Sequence, residues 1–309
     1  YYMNKEYAIV TDGSCDLPRE LCQEKGITVV PFYVSFDGEK YEKEIVEMPI
    51  RQFYEDMVKN PKVFPKSSMP SVQDYMDAFM PIVQEGKAII CICITTKFSG
   101  SMQSALNARM MILEQHPDAE ITVIDATINT VLQGIYVLEA QKMKEAGVPY
   151  EQVVEELETI KSTGRIFFTV GNLEYLQHGG RIGKVASVAG SVLGIRPLIT
   201  LKEGEIFASG IARGRNRSLD KVRELLLQYL EEVNAAKDCS DYSLAVGFGY
   251  DAAEAEEFQA AAVEFLNGKG YQVTKEQFPI YQIGATISVH TGPYLSLIHI
   301  SEPTRPISI

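Results

Sequence analysis

Along the first half of the chain, short apolar runs alternate with stretches whose apolar residues recur every three or four positions. Tyr7-Ala-Ile-Val-Thr11 predicts a strand and Asp12-Gly-Ser-Cys-Asp16 a turn. Leu17 to Lys25 then predicts a short helix, with Asp16 as N-cap and Pro18 in its first turn. Ile27 to Phe36 reads as one extended run closed by the turn pair Asp37-Gly38. Pro49 to Lys59 and Ser71 to Gln84 carry helical periods. Ala88 to Thr95 is apolar without a break, the pattern of a strand buried on both faces of a parallel sheet. Ser99 to Glu114 is helical, Ile121 to Asp125 a buried strand, and Asn129 to Glu145 a long helix stopped by Gly147 and Pro149. Strand–helix alternation of this kind predicts an open, mostly parallel α/β sheet.

That Gly/Pro break divides the chain into an N-terminal α/β domain, 3–149, and a C-terminal domain, 150–293. In the second, Tyr150 to Ser162 predicts a helix, Arg165 to Val170 a strand, and Pro197 to Ala208 a hairpin about Glu203-Gly204. Helices follow at Ser218 to Glu232 and Ala252 to Leu266, with strands at Ser243 to Phe248, Tyr271 to Phe278 and Ala285 to His290. The expected class is α/β in two domains: an open, mostly parallel sheet, then an α+β unit with a mixed sheet. Tyr1 and Tyr2 precede Met3, the expected natural start. The stretch from Tyr294 (YLSLIHISEPTRPISI) shows no clear period, and 294–309 is expected to be a non-native tail.

With 309 residues, 46% hydrophobic and 23% charged, the chain can bury a sizeable core. A net charge of −12 argues against a nucleic-acid partner, whose phosphates it would repel. The five cysteines (Cys15, Cys22, Cys91, Cys93, Cys239) form no even framework, which suits reduced, buried thiols rather than disulfides or zinc. Cys91 and Cys93 alternate and should share one face of their strand. The apolar stretch Val185 to Leu201 is broken by Gly190, Gly194, Arg196 and Pro197, so no stable membrane insertion is expected, although transient membrane contact is allowed. No secretory signal opens the chain, and a cytoplasmic location is expected.

Five passages could carry chemistry, and each has a plainer reading. Ser67-Ser68-Met69-Pro70-Ser71 precedes a helix and could simply cap it. Thr95-Thr96-Lys97-Phe98-Ser99-Gly100-Ser101 follows a buried strand and opens a helix, where hydroxyls and N–H groups favour an anion. The pair Gly179-Gly180 before Arg181 either presents a guanidinium or forms an ordinary turn. His290-Thr-Gly292-Pro293 closes an apolar run, where a lone histidine is more often structural. Arg213, Arg215 and Arg217, followed by Lys221 and Arg223, are either a solvated loop or a dock for an anionic partner. A serine hydrolase built on Ser99 and His290 is an alternative, but no Gly-x-Ser-x-Gly elbow and no orienting acid are evident. Gly247-Phe-Gly249-Tyr-Asp-Ala252 partly meets a dinucleotide fingerprint, and a pure protein-interaction module is a further reading.

Taken in order, these pieces resemble one family. Thr11-Asp12-x-Ser14-x-Asp16, Ser67-Ser68-x-Pro70-Ser71, Phe98-Ser99-Gly100-Ser101, Asn172-Leu173-Glu174-x-Leu176-x-x-Gly179-Gly180-Arg181-Ile182 and His290-x-Gly292-Pro293 are similar to the DegV family of fatty-acid-binding proteins, from Ala8 to Pro293. The resemblance implies a non-enzymatic carrier. It would hold a single long-chain fatty acid in an apolar tunnel, with the carboxylate at the interdomain cleft, and no cofactor or metal. In several members a separate fatty acid kinase subunit phosphorylates that carboxylate, and the acyl phosphate enters phospholipid synthesis. Carried to matching positions, Ser67, Ser99 and the Gly100 backbone would hold the carboxylate with His290. Arg181 would stand near it for phosphoryl transfer, and Arg213, with Arg215 and Arg217, would lie where the kinase docks. Another lipid in place of the fatty acid is an alternative. The family usually has Thr at 67 and 101, Ser at 13, and a further Gly after Pro293.

The residue types suit that task. Burying an acyl chain contributes about 0.8 kcal/mol per methylene, and Val185–Leu198 is expected to line the tunnel. A desolvated carboxylate costs several kcal/mol unless donors surround it. Two hydroxyls and a helix-start N–H supply them without a fixed counter-ion.

Overall fold

The structure, a computed structural model, describes residues 4–188 and 194–302. The chain opens with β1 (Tyr7–Asp12), a tight helical turn over Gly13–Cys15, and α1 (Arg19–Lys25). Strands β2 (Thr28–Val30), β3 (Tyr33–Ser35) and β4 (Glu42–Lys43) lead to α2 (Ile50–Lys59), β5 (Lys66–Ser68) and α3 (Val72–Gln84). Next come β6 (Ala88–Cys93), α4 (Ser101–Gln115), β7 (Ile121–Asp125), α5 (Thr130–Glu145) and α6 (Tyr150–Ile160). The second half runs β8 (Arg165–Thr169), α7 (Glu174–His178), β9 (Ile195–Lys202), β10 (Glu205–Arg213) and α8 (Arg215–Glu232). It ends with β11 (Ser243–Phe248), α9 (Ala252–Gly268), β12 (Ile280–Gln282), α10 (Ala285–Thr291) and β13 (Ser296–Ser301).

Two large sheets face each other across α5. The first is parallel throughout, in the order β2-β1-β6-β7, and the second is mixed, in the order β10-β9-β8-β13-β11-β12. The pleat distributes the apolar residues of β6 to both sides. Ile90 and Ile92 pack toward α5, whereas Ile89, Cys91 and Cys93 pack against Tyr75 and Phe79 of α3 and Ala105 and Ile112 of α4. Helix α5 is buried on nearly every side, because Ile166, Phe168 and Leu201 of the second sheet close on it from the other direction. On the far face of that sheet, Phe167, Leu198 and Ile298 meet Val222 and Leu226 of α8 and Phe258 and Ala262 of α9. The layers are therefore helix, sheet, helix, sheet, helix, as the α/β pattern leads one to expect. A small antiparallel sheet, β4-β3-β5, stands beside the first and carries Ser67.

Several local expectations are corrected. Ile27 to Phe36 is two strands in different sheets, broken after β2 by Pro31, which has no N–H to extend the ladder. Asp16 does not cap α1. It adopts a left-handed conformation (φ 50°) and turns its carboxylate inward, where Thr130 Oγ1 donates to it at 2.6 Å. Tyr271 to Phe278 forms no strand: Tyr271, Val273 and Phe278 are buried under α9 and β12 alone is extended. Ala285 to His290 is helical rather than extended, with Ala285 and Val289 on the face that meets Tyr54 and Tyr175.

Part of the stretch 294–309 is paired into the fold. Ser296–Ser301 is an inner strand of the second sheet, antiparallel to both β8 and β11, although the flanking residues read as a tail. Leu297 faces the α5 side and Ile298 and Ile300 the α8–α9 side, so the alternation serves both layers. Residues 303–309 lie outside the described residues. One member of this strand fits poorly. His299 is paired with Ile166 and Ala245, is wholly buried, and neither ring nitrogen has a hydrogen-bond partner. Burial pushes its pKa down to about 3.

An unfolded histidine titrates near 6.5, so the unfolded chain binds the extra proton first. The stability held by neutral His299 is complete above that pH and is lost as pH falls toward about 3. Substituting His299→Leu should raise stability by about 1–3 kcal/mol, since a buried unsatisfied group is removed at similar volume. It should also flatten the acid limb of a plot of Tm against pH. An unchanged acid limb would show that His299 is not the buried group responsible.

Candidate functional site

A cavity of about 280 Å³ lies between the two sheets, beyond the carboxyl end of β6 and beside the start of α5. This is the edge of a parallel sheet where open α/β proteins place ligands. Ile166 and Phe168 of β8, Leu201 of β9 and Ile206 of β10 form one apolar wall, and Phe32, Ile94 and Ile287 form another. The polar end is built by Ser67, Ser99, Gly100, Arg181 and His290, which the fold brings to this one cavity from four separate segments.

Each polar group is held by its own local structure. Ser67 lies on β5, and its Oγ stands 3.3 Å from His290 Nε2. Ser99 is in the turn that follows β6, and its Oγ accepts from Ser101 N at 3.1 Å. That bond occupies an acceptor position and leaves the Ser99 O–H free to donate. Gly100 is the N-cap of α4, a helix long enough for its aligned peptide dipoles to favour an anion. Arg181 is exposed at the rim, where Nε donates to Phe98 O at 3.1 Å and Nη1 to Gly179 O at 2.6 Å. His290 presses its Nδ1 so closely on Gly179 that a Cβ there would collide with it. Burial, and secondarily the charge of Arg181, lowers the His290 pKa to about 4. The imidazole is therefore neutral near pH 7.

Behind this polar end lie two buried acids. Asp16 accepts from Thr130, a cavity-lining residue, and lies against Gly284, where only a glycine leaves room for it. Glu44 accepts from Thr286 N at 3.2 Å and Phe32 N at 3.4 Å, which ties α10 to the N-terminal half. Burial raises Asp16 to about 7, and burial with the nearby Asp16 charge raises Glu44 to about 8. Held close to neutrality, they oppose an anion in the cavity less than two ionised carboxylates would.

Sequence reasoning named polar residues that the fold brings to one cavity, but it looked for the wall in the wrong place. Among the described residues of Val185–Leu198, none lines the cavity, and residues 189–193 lie outside the described set. Val185 instead packs into the central core. The walls come from the inward faces of β8, β9 and β10, whose period-two alternation was the available clue. Of the arginine cluster, Arg213 and Arg217 are exposed, whereas Arg215 is turned inward to an ion pair with Glu254 and donates to Tyr294 O at 2.8 Å. The hydrolase alternative pairs His290 with Ser99. The hydrogen bond that forms is with Ser67, and His290 Nδ1 meets no acid. The glycine at 249 sits against Pro293 O, a packing role. Among the described residues, no group of three or more His, Cys, Asp or Glu is arranged to hold a metal ion. No helix among them is long and apolar enough to cross a membrane.

The cavity thus combines apolar walls with a group of neutral and cationic donors. Residues 6–302 match the model of the family described as uncharacterised protein, DegV family, and the chain belongs to that family. A DegV domain-containing protein of Deinococcus radiodurans is 30% identical over 93% of this chain and 95% of its own length. A fatty acid (stearic acid)-binding protein from Eubacterium ventriosum has a solved structure that superposes with a TM-score of 0.89 at 41% identity, covering 96% of this chain and 98% of that one. A structure described as fatty acid binding of a DegV family protein from Thermus thermophilus gives 0.82 at 28% identity, over 96% and 99%.

The His290 ring in the ligand-free protein should titrate near pH 4 and stay neutral from pH 6 upward, as read by imidazole NMR. A transition close to the ordinary value of about 6.5 would contradict the buried, Arg181-facing placement.

Proposed function

We propose that the chain binds one long-chain fatty acid, with its acyl chain in the apolar cavity and its carboxylate at Ser67, Ser99, the Gly100 N–H and His290. The observation that carries this reading is the convergence of those groups at one end of a cavity whose walls are aliphatic and aromatic. The binding described for the Eubacterium ventriosum and Thermus thermophilus proteins supports it. The site would lie in the cleft between an N-terminal part, 3–149, and a C-terminal part, 150–293.

The chemistry of the head group follows from the donor set. The hydroxyls and the backbone N–H donate to the carboxylate oxygens; in its Nε2–H tautomer the neutral His290 donates to Ser67 Oγ, 3.3 Å away, and leaves the Ser67 proton for the ligand. A carboxylate held by neutral donors keeps its charge available as a nucleophile. The protein then presents that carboxylate to a partner kinase, which phosphorylates it to an acyl phosphate for phospholipid synthesis. Arg181, exposed at the rim, stabilises charge on the transferred group. The exposed Arg213 and Arg217 face the partner, and a cytoplasmic setting fits this role.

Denaturing mass spectrometry of the purified protein should release a fatty acid in near-equal molar amount. Ser99→Ala should lower lipid retention about tenfold, the effect of one lost hydrogen bond to a charged group. Arg213→Ala should leave retention unchanged and slow turnover with the kinase. An equal loss of retention in both variants would overturn this division of roles.

A further inference from the structure

We propose that Asp12 is a positioning residue for the turn that carries Ser99 and Gly100: by accepting from Ile94 N and Ser101 Oγ it fixes where the Ser99 hydroxyl stands. The inference rests on the fatty-acid reading above and adds to it a residue that does not touch the cavity.

Asp12 ends β1 and is wholly buried, yet among the described residues no Lys, Arg or His forms an ion pair with it. Its carboxylate is satisfied by neutral donors alone. Oδ1 accepts from Gln133 Nε2 at 2.9 Å and from Ser14 N at 3.3 Å. Oδ2 accepts from Ile94 N at 3.0 Å and from Ser101 Oγ at 2.8 Å. The last two bonds bracket the turn 94–101 that carries Ser99 and Gly100. Burial raises the Asp12 pKa and the four donors oppose that rise; as a carboxylate Asp12 can only accept, and the Ser101 hydroxyl then donates to it. The Tyr75 hydroxyl, 2.5 Å from Ser101 Oγ, must then donate to Ser101. Ser101 is thereby fixed in place, and its backbone N–H in turn donates to Ser99 Oγ. The bonds from Tyr75 through Ser101 to Asp12 then run in one sense, and the Ser101 N–H holds Ser99 Oγ in place while leaving its O–H free for a ligand. Replacing one carboxylate oxygen by an amide nitrogen would set a donor against Ile94 N–H and Ser101, or against Gln133, and release the turn.

A merely structural pin would weaken every ligand alike, whereas a device that aims Ser99 at a carboxylate acts on the charged head alone. The test compares stearic acid with methyl stearate on delipidated full-length protein, since the ester keeps the tail and loses the charge. Asp12→Asn should reduce the acid-over-ester preference about tenfold, with ester affinity changed by less than about twofold. Should Asp12→Asn fail to fold, Ser101→Ala is expected to give the same shift in preference, and Ser101→Thr, which keeps the hydroxyl, should restore it. Proportional loss of acid and ester, or an unchanged ratio beside a parent that prefers the acid, overturns the positioning role alone. A parent that binds neither ligand overturns the fatty-acid reading, and this inference with it.

Discussion

A carboxylate removed from water must have its lone pairs filled by donors, and Asp12 meets that demand at the point where the first sheet turns toward the ligand. Four donors come to it from the β1 turn, α5, the end of β6 and the start of α4. Those elements are not free to drift relative to one another, because moving any of them strands a buried polar group at a cost of about 1–3 kcal/mol. The neighbouring Asp16 and Glu44 do the same for the start of α5 and for α10. The polar end of the cavity is thus framed by acids that never enter it, and their accepting character orients the hydroxyls around them.

The two ends of the cavity solve different physical problems. Apolar burial is strong but indifferent to position, so the walls need only be aliphatic or aromatic, and strands, helices and loops contribute without any special spacing. The head group is weak by comparison and sensitive to placement. The polar side chains at the cavity are fixed by hydrogen bonds or by close packing, as His290 is against Gly179 and Arg181 against two carbonyl oxygens. Leaving the guanidinium at the rim and the neutral imidazole inside keeps a full positive charge out of the buried part. Binding there avoids the desolvation of a second ion.

Much of this was legible in the sequence where a pattern is local. The unbroken apolar run of β6 announced a strand covered on both faces, and Cys91 and Cys93 did share one of them. The turn after β6 announced an anion-favouring helix start. What was illegible depends on partners distant in the chain. Asp16 has the composition of an N-cap, but Thr130, more than a hundred residues away, draws it inward instead. Arg215 belongs to a basic cluster by sequence and to Glu254 by geometry. The cavity wall was sought in a glycine-rich stretch because small residues suggest room. The room is made instead by the separation of two sheets around the start of α5.

The strand at 296–301 shows the limit most clearly. Read by its flanks, with two prolines beyond it, the segment looks detached; read by its own alternation, Leu297 against Ile298 and Ile300, it supplies residues to both faces of a sheet. Sheet formation depends mainly on filling both faces and completing the ladder between β8 and β11, and apolar residues of the right period suffice for that. Polar satisfaction is the stricter requirement, and there His299 fails, with two buried nitrogens and no partner. Backbone pairing and side-chain satisfaction are therefore separate tests of a strand. Asp12 shows the opposite case: a side chain far more costly to bury than an imidazole is tolerated because every donor it needs is in place.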